Sequence, residues 1–457
     1  MNSTPAKHTT RERPAGAPAA RGSRSRTPLA ACLAASLLAS CATYADRTRD
    51  AFHDFQSGHL DRALEAFGDT DTTGSPFLSG AEAGTAALTA GRWDEALEHL
   101  HAAEEDLERI DDRAVIGPAN FSESLGSWVL NDSKKAYRGE GFERVFLHCG
   151  LALAYLAMGR LEDVYVEARR SNKLLENEEE LYDREYGAGG LGHFLSAVAY
   201  ELLGEPGEAY IDYERMVEKG VGVELAGKAL VRLSAQLGRE EDLSRWEQRF
   251  GPDYARAGDA ASIVVIAGVG LGPYKREIKA AFPTEDGLLN LAVPDYVRRP
   301  QPVPAVRLVL PGQGIAVRTS VLEDVMRVAS ENLEDRLALT AVKSAARGVA
   351  KRQLTRTLQD EYGGIGRLVG DVFSFATERA DLRCWTTLPD SWQAARLFVA
   401  PGRHRLQLEA VGGDRVPLGT FELEPGETLF VFARTIHRRV HAHTVGGLRV
   451  VDTEGRP

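Results

Sequence analysis

The chain has 457 residues, room for two or three domains with their own cores, and an ordinary globular composition of 43% hydrophobic and 26% charged residues. Its formal charge is −11, and the first forty residues carry six basic side chains against one acid, so removing their +5 leaves about −16. That balance argues against nucleic acid as a partner, because phosphate neutralisation needs clustered Lys and Arg.

In "RGSRSRTPLAACLAASLLASCATYADRTRD" a basic start gives way to an apolar run from Pro28 to Leu38 and then to small residues before Cys41. The run is shorter than the roughly 20 residues that a bilayer span needs, and it suits the core of a signal peptide. Leu38-Ala39-Ser40-Cys41 resembles the lipobox of bacterial lipoprotein signal peptides. The resemblance implies a signal peptide over 1–40, a lipid on Cys41 and a tether over 41–49. Ala42 stands where Asp would favour inner-membrane retention, so the expected address is the outer membrane, facing the periplasm. Cys32 would leave with the signal. Cys149 and Cys384 read as small buried hydrophobes, with no disulfide framework.

From Asp50 to Phe250 a glycine followed five residues later by a small or apolar residue recurs: "GHLDRA", "GRWDEA", "GRLEDV", "GEPGEA" and "GREEDL". The glycines at 58, 91, 159, 204 and 238 are separated by 33, 68, 45 and 34 residues. These are one or two steps of about 34, one of them enlarged by an insertion expected near "DREYGAGG". Each glycine lies between apolar segments of helical period, ends one helix in a left-handed conformation, and precedes acids that suit the next helix dipole. The pattern resembles the tetratricopeptide repeat, which implies an α-solenoid over 50–250.

"YRGEGFERV" (Tyr137 to Val145) is not required by that repeat. It reads either as a turn leading into a helix, with a Glu143–Arg pair, or as a recognition loop at the mouth of the solenoid groove. The second reading makes Tyr137, Arg138, Gly139, Glu143, Arg144 and Asn172 partner-binding candidates. His148 and Cys149, just beyond, read as packed side chains without a catalytic role.

A linker over 251–261 leads to a second domain over 262–436. "SIVVIAGVGLGPYK" opens it with a buried strand. Its alternate glycines, 268, 270 and 272, lack the GxGxxG spacing of a dinucleotide fold and are followed by Pro273. "AVRLVL", "GIAVRTS", "ARLFVA", "HRLQLEAV", "LGTFELE" and "TLFVFAR" add short strands, the last four as a meander with Gly/Pro turns. They predict a small antiparallel β-sandwich. Residues 320–380 interrupt it as a helical insertion. Lys343, Arg347, Lys351 and Arg352 make the insertion's small-residue centre a poor membrane span, so it is expected to pack on the sheet or lie on a membrane surface. "ADLRCWTTLPD" holds a prospective Asp381–Arg383 pair. "HRRVHAH" opens a C-terminal tail (437–457), where three histidines without nearby Cys or carboxylate do not make a convincing metal set. No metal and no cofactor are expected.

Together the lipobox, the degenerate repeats, "YRGEGFERVFLH", "VEARRSN", "GLGPYKREI" and "ADLRCWTTLPD" resemble a little-characterised family of proteobacterial tetratricopeptide-containing lipoproteins. The resemblance implies a role in cell-wall or outer-membrane assembly. With no GxSxG, HExxH or P-loop pattern, an enzyme is not expected. The favoured expectation is a lipid-anchored periplasmic scaffold holding an envelope protein or peptide in its groove. A lipid-handling or structural protein touching the membrane through the helical insertion is the alternative, ahead of a cell-wall enzyme.

Overall fold

A computed structural model describes residues 43–116, 136–252, 260–284, 287–337 and 380–449. Cys41 and most of the expected helical insertion lie outside them. The described chain is mixed α and β, with thirteen helices and eleven strands. Among the described residues no helix is long and apolar enough to cross a membrane.

The N-terminal half is helical: α1 (Tyr44–Arg47), α2 (Arg49–Ser57), α3 (Leu60–Gly68), α4 (Thr70–Thr73), α5 (Pro76–Ala90), α6 (Trp93–Ile116), α7 (Gly141–Ala157), α8 (Leu161–Tyr182), α9 (Gly190–Leu202), α10 (Pro206–Glu218), α11 (Val223–Gln236) and α12 (Glu240–Phe250). The five repeat glycines all turn between helices with φ between 67° and 79°, a region that a side chain rarely adopts. Ala63, Ala96 and Ala209, each five residues past its glycine, are fully buried, so paired helices approach closely there. The extra length before Gly204 is shared between the long α8 and the loop 183–189.

The C-terminal half contains β1 (Ala261–Val269), β2 (Tyr274–Thr284), β3 (Gly287–Val297), β4 (Val306–Leu310), β5 (Ile315–Arg318), β6 (Ser320–Asp324), a helix α13 over residues 325–337, β7 (Ser391–Val399), β8 (Gly402–Ala410), β9 (Arg415–Leu423), β10 (Thr428–Ile436) and β11 (Arg439–Leu448). One sheet has the order β11-β10-β1-β7-β6, another β5-β4-β8-β9, and β2 and β3 form a separate hairpin.

Three expectations need correction. Residues 320–324, assigned to the helical insertion, are strand β6, and the supposed tail carries β11 on the edge of the larger sheet. The last four expected strands are not one meander. Only β8 and β9 pair as a hairpin; β7 lies between β1 and β6, and β10 runs parallel to β1, with Val265 opposite Val431. The reason is burial. β1 and β10 are buried along their whole length and so take central positions, whereas β8 and β9 alternate and form the outer sheet.

The helices, the larger sheet and the smaller sheet lie in three layers. Val264, Ile266, Phe430 and Phe432 face the helices, while their neighbours Ile263, Val265, Leu429 and Val431 share a second core with Leu308, Leu406 and Leu408 of the smaller sheet. The described residues from Tyr44 onward accordingly form one compact unit, with the helical half and the sheets sharing a core.

Candidate functional site

Four sequence features that no repeat or strand explained come together where the helices meet the larger sheet. "YRGEGFERV" begins α7. Glu143, in its first turn, is fully buried and accepts from Tyr137 Oη at 2.7 Å and from the Glu140 backbone N–H at 2.9 Å. Its other oxygen accepts the backbone N–H of Trp385, from "ADLRCWTTLPD", at 2.7 Å. Glu82 of α5, also fully buried, holds the next two residues: it accepts from Thr386 N at 2.6 Å, Thr386 Oγ1 at 2.7 Å and Thr387 N at 2.9 Å, and from Tyr44 Oη at 2.7 Å. Burial raises the pKa of both carboxyls, against the pull of their hydrogen bonds.

Glu140 behaves oppositely. Burial would raise its pKa too, but ion pairs with Arg336 of α13 and Lys275 of β2 outweigh burial and hold it low. Lys275 also donates to the Arg383 carbonyl at 2.9 Å. Arg383 pairs with Asp381, as the sequence suggested, and its guanidinium carbon lies 4.9 Å from the centre of the Tyr137 ring.

The expected recognition loop is therefore an internal contact. Tyr137 and Glu143 are buried against the chain's own Arg383–Thr387 segment, and Gly139 is buried against Phe77, where a Cβ would reach 3.0 Å from the ring. Arg138 is half-buried. Arg144 pairs with Asp111 of α6 at 2.5 Å. Asn172 is engaged elsewhere, on α8, where its amide meets His193 Nδ1 of α9 at 3.1 Å. Cys149 and Cys384 are buried thiols, each pushed up to about 12 by burial.

Beside the Trp385 segment lies a half-open pocket walled by Leu88, Phe146, Leu153, Ile266, Leu388 and Phe432, with Trp93, Trp385 and Trp392 around it. Its sheltered part is about 50 Å³, room for a slim chain, and it widens into a mouth open to solvent. Its polar side is supplied by Arg434, His441 and His443.

Arg434 is the unusual member. It is 5% exposed and sits inside the apolar strand β10. Its Nη1 donates to the carbonyls of Gly268, Gly270 and Thr435, and its Nη2 to Thr387 O at 3.0 Å. Among the described residues no carboxylate pairs with it. Burial pulls its pKa down for that reason. The glycine-rich stretch at the end of β1 is thus part of a carbonyl cradle for this guanidinium. Gly270, at φ 73°, cannot be replaced freely, since a Cβ there would lie 1.9 Å from Gln301 Oε1.

Among the described residues, three nitrogens on the pocket wall lack a hydrogen-bond partner: Arg434 Nε, Trp392 Nε1 and His441 Nε2, the last a donor in one tautomer. His443, from "HAH", bonds the Thr89 carbonyl through Nε2 at 3.0 Å and stacks edge-on with Trp93 at the mouth. Arg434 and Glu82 escaped the sequence reading, although each left a signal: a lone charge in a continuous apolar run.

No protein family, no curated protein and no solved structure matches the chain. Its function has to be read from this chemistry.

Proposed function

We propose that the chain is a binding protein of the bacterial envelope, in the lipoprotein family suggested by its motifs. It would be held on the periplasmic face of the outer membrane by a lipid on Cys41. Its paired helices are read as a tetratricopeptide-like solenoid and its two packed sheets as a β-sandwich-like unit. The loop expected to grip an envelope protein partner, Tyr137 to Val145, packs in cis on Arg383–Thr387. The binding role moves to the pocket next to it.

The observation that carries this reading is Arg434: a buried cation with no acid partner among the described residues, facing an apolar pocket beside Trp392 Nε1 and His441 Nε2, which also lack partners among those residues. A buried charge of this kind is strongly stabilised by an anion. The ligand class is a slim apolar molecule ending in a carboxylate, either a free acid or the C-terminus of an envelope protein. An enzyme is not proposed: the perturbed carboxyls Glu82 and Glu143 are buried and bonded to the chain's own Trp385–Thr387 segment.

Calorimetry with octanoate, with a short peptide ending in Leu-Phe, and with the same peptide amidated separates the two sources. Octanoate alone binding assigns a free acid; the acid peptide binding and its amide failing assigns a protein terminus. Failure of both carboxylates up to millimolar concentration overturns the reading.

A further inference from the structure

Away from the pocket, three helices bring together a second set of ligating side chains. Glu104 stands on α6, His148 on α7 and Glu167 on α8, and one carboxylate oxygen or ring nitrogen from each lies within 4.8 Å of the other two. We propose that these residues form a site for a divalent transition-metal cation, with His101 at its rim.

The arrangement of individual atoms supports this. Glu167 Oε2 lies 2.7 Å from His148 Nδ1, and Glu104 Oε2 lies 2.9 Å from His101 Nδ1. The opposite oxygens, Oε1 of both glutamates, are tied together from behind by Arg170 Nη1, at 2.9 Å from Glu104 and 3.1 Å from Glu167. One guanidinium thus aligns two carboxylates so that their remaining oxygens face imidazole nitrogens. That is the outer-shell orientation which metal-ligating carboxylates commonly have. Donor atoms about 2.0–2.1 Å from a tetrahedral zinc ion stand about 3.3 Å apart, so the 2.7 Å His148–Glu167 pair has to open and separations of up to 4.8 Å in the cluster have to close to hold one.

Charge and chemistry point the same way. Two carboxylates face one guanidinium, and a cation would balance the second carboxylate. Imidazole among the donors favours zinc, iron, copper or nickel over calcium or magnesium, and the two carboxylates also suit manganese. His101 is oriented by a 2.8 Å contact between its Nε2 and Tyr155 Oη, which leaves its Nδ1 toward Glu104. The side chains of Glu104, His148 and Glu167 are 13%, 11% and 6% exposed, sheltered yet reachable, and His101, at 38%, borders solvent.

The test is calorimetric titration of the chelator-treated full chain with zinc chloride and with manganese chloride, the latter also read by electron paramagnetic resonance. The expected result is one saturable site, weakened at least about tenfold in both His148→Ala and Glu104→Gln and unchanged in His441→Ala. Glu104 is used because its loss should spare the fold better than that of the more buried Glu167. No saturable binding tighter than about 0.1 mM, or binding equally tight in folded His148→Ala and Glu104→Gln, would overturn the proposal and leave an ion-pair cluster.

Discussion

The backbone N–H of Trp385 donates to Glu143 Oε1 across 242 positions of sequence, at 2.7 Å and out of contact with water. This bond and the Glu82 bonds to Thr386 and Thr387 fix one irregular, turn-containing segment against the middle of α5 and the first turn of α7. The pocket is built on that junction, so its rigidity depends on two buried carboxylates.

Glu143→Ala would leave Tyr137 Oη and the backbone N–H groups of Glu140 and Trp385 without their acceptor. The expected loss is about 3–5 kcal/mol of unfolding free energy, against about 1–2 kcal/mol for Glu143→Gln, which keeps one acceptor. Urea unfolding of both variants measures the difference.

Two other buried glutamates should give opposite pH dependences. Burial pushes Glu323 up to about 7, against hydrogen bonds from Gly189, Leu191 and Gly190 at the start of α9. Its folded pKa exceeds the unfolded one, so the folded state holds the extra proton and stability falls as pH rises from about 4.5 to 7, by about 3 kcal/mol. Burial also works on Glu201, but Arg232 and Arg396 outweigh it and bring the carboxyl down to about 2. That contribution is present above about 4.5 and is lost as pH falls toward 2. Glu323→Gln should flatten the first slope and Glu201→Gln the second, both read by thermal unfolding across pH.

Gly270→Ala should cost about 1–3 kcal/mol, because φ is 73° and the added Cβ would meet Gln301. It should also weaken binding of a carboxylate in the pocket, since the Gly270 carbonyl holds Arg434. Gly207→Ala, where a Cβ meets nothing within 4 Å, is the control and should leave binding unchanged.

Ile266→Ala and Ile263→Ala each remove a fully or nearly fully buried side chain from β1, on opposite faces. Both should cost about 2–5 kcal/mol. Only Ile266→Ala should alter ligand affinity, as Ile266 lines the pocket and Ile263 faces the smaller sheet.

The helical half was legible because its signals are local: a glycine at the end of one helix and an alanine five residues on can be read from the chain alone. β1 and β8 to β10 were legible as strands for the same reason. Their partners were not, because the parallel pairing of β1 with β10 joins segments about 165 residues apart, as Val265 and Val431 show. The β2–β3 hairpin and β11 lack a continuous apolar run and escaped notice. The site was half legible. The motifs at 137–145, 268–272, 381–390 and 441–443 stood out as unexplained, yet nothing local revealed that they meet. Glu143 looked like a surface contact because a glutamate is usually exposed, and only the distant Trp385 accounts for its burial.

The pocket's role rests most directly on its own fluorescence, since Trp93, Trp385 and Trp392 line it and the chain has only five tryptophans. Titration with octanoate should change the emission saturably, with octanol far weaker. Arg434→Met should abolish the difference between the two, and Leu88→Trp should block both by filling the mouth. Equal responses to octanoate and octanol, or an unaltered octanoate response in a folded Arg434→Met protein, would contradict anion recognition at Arg434.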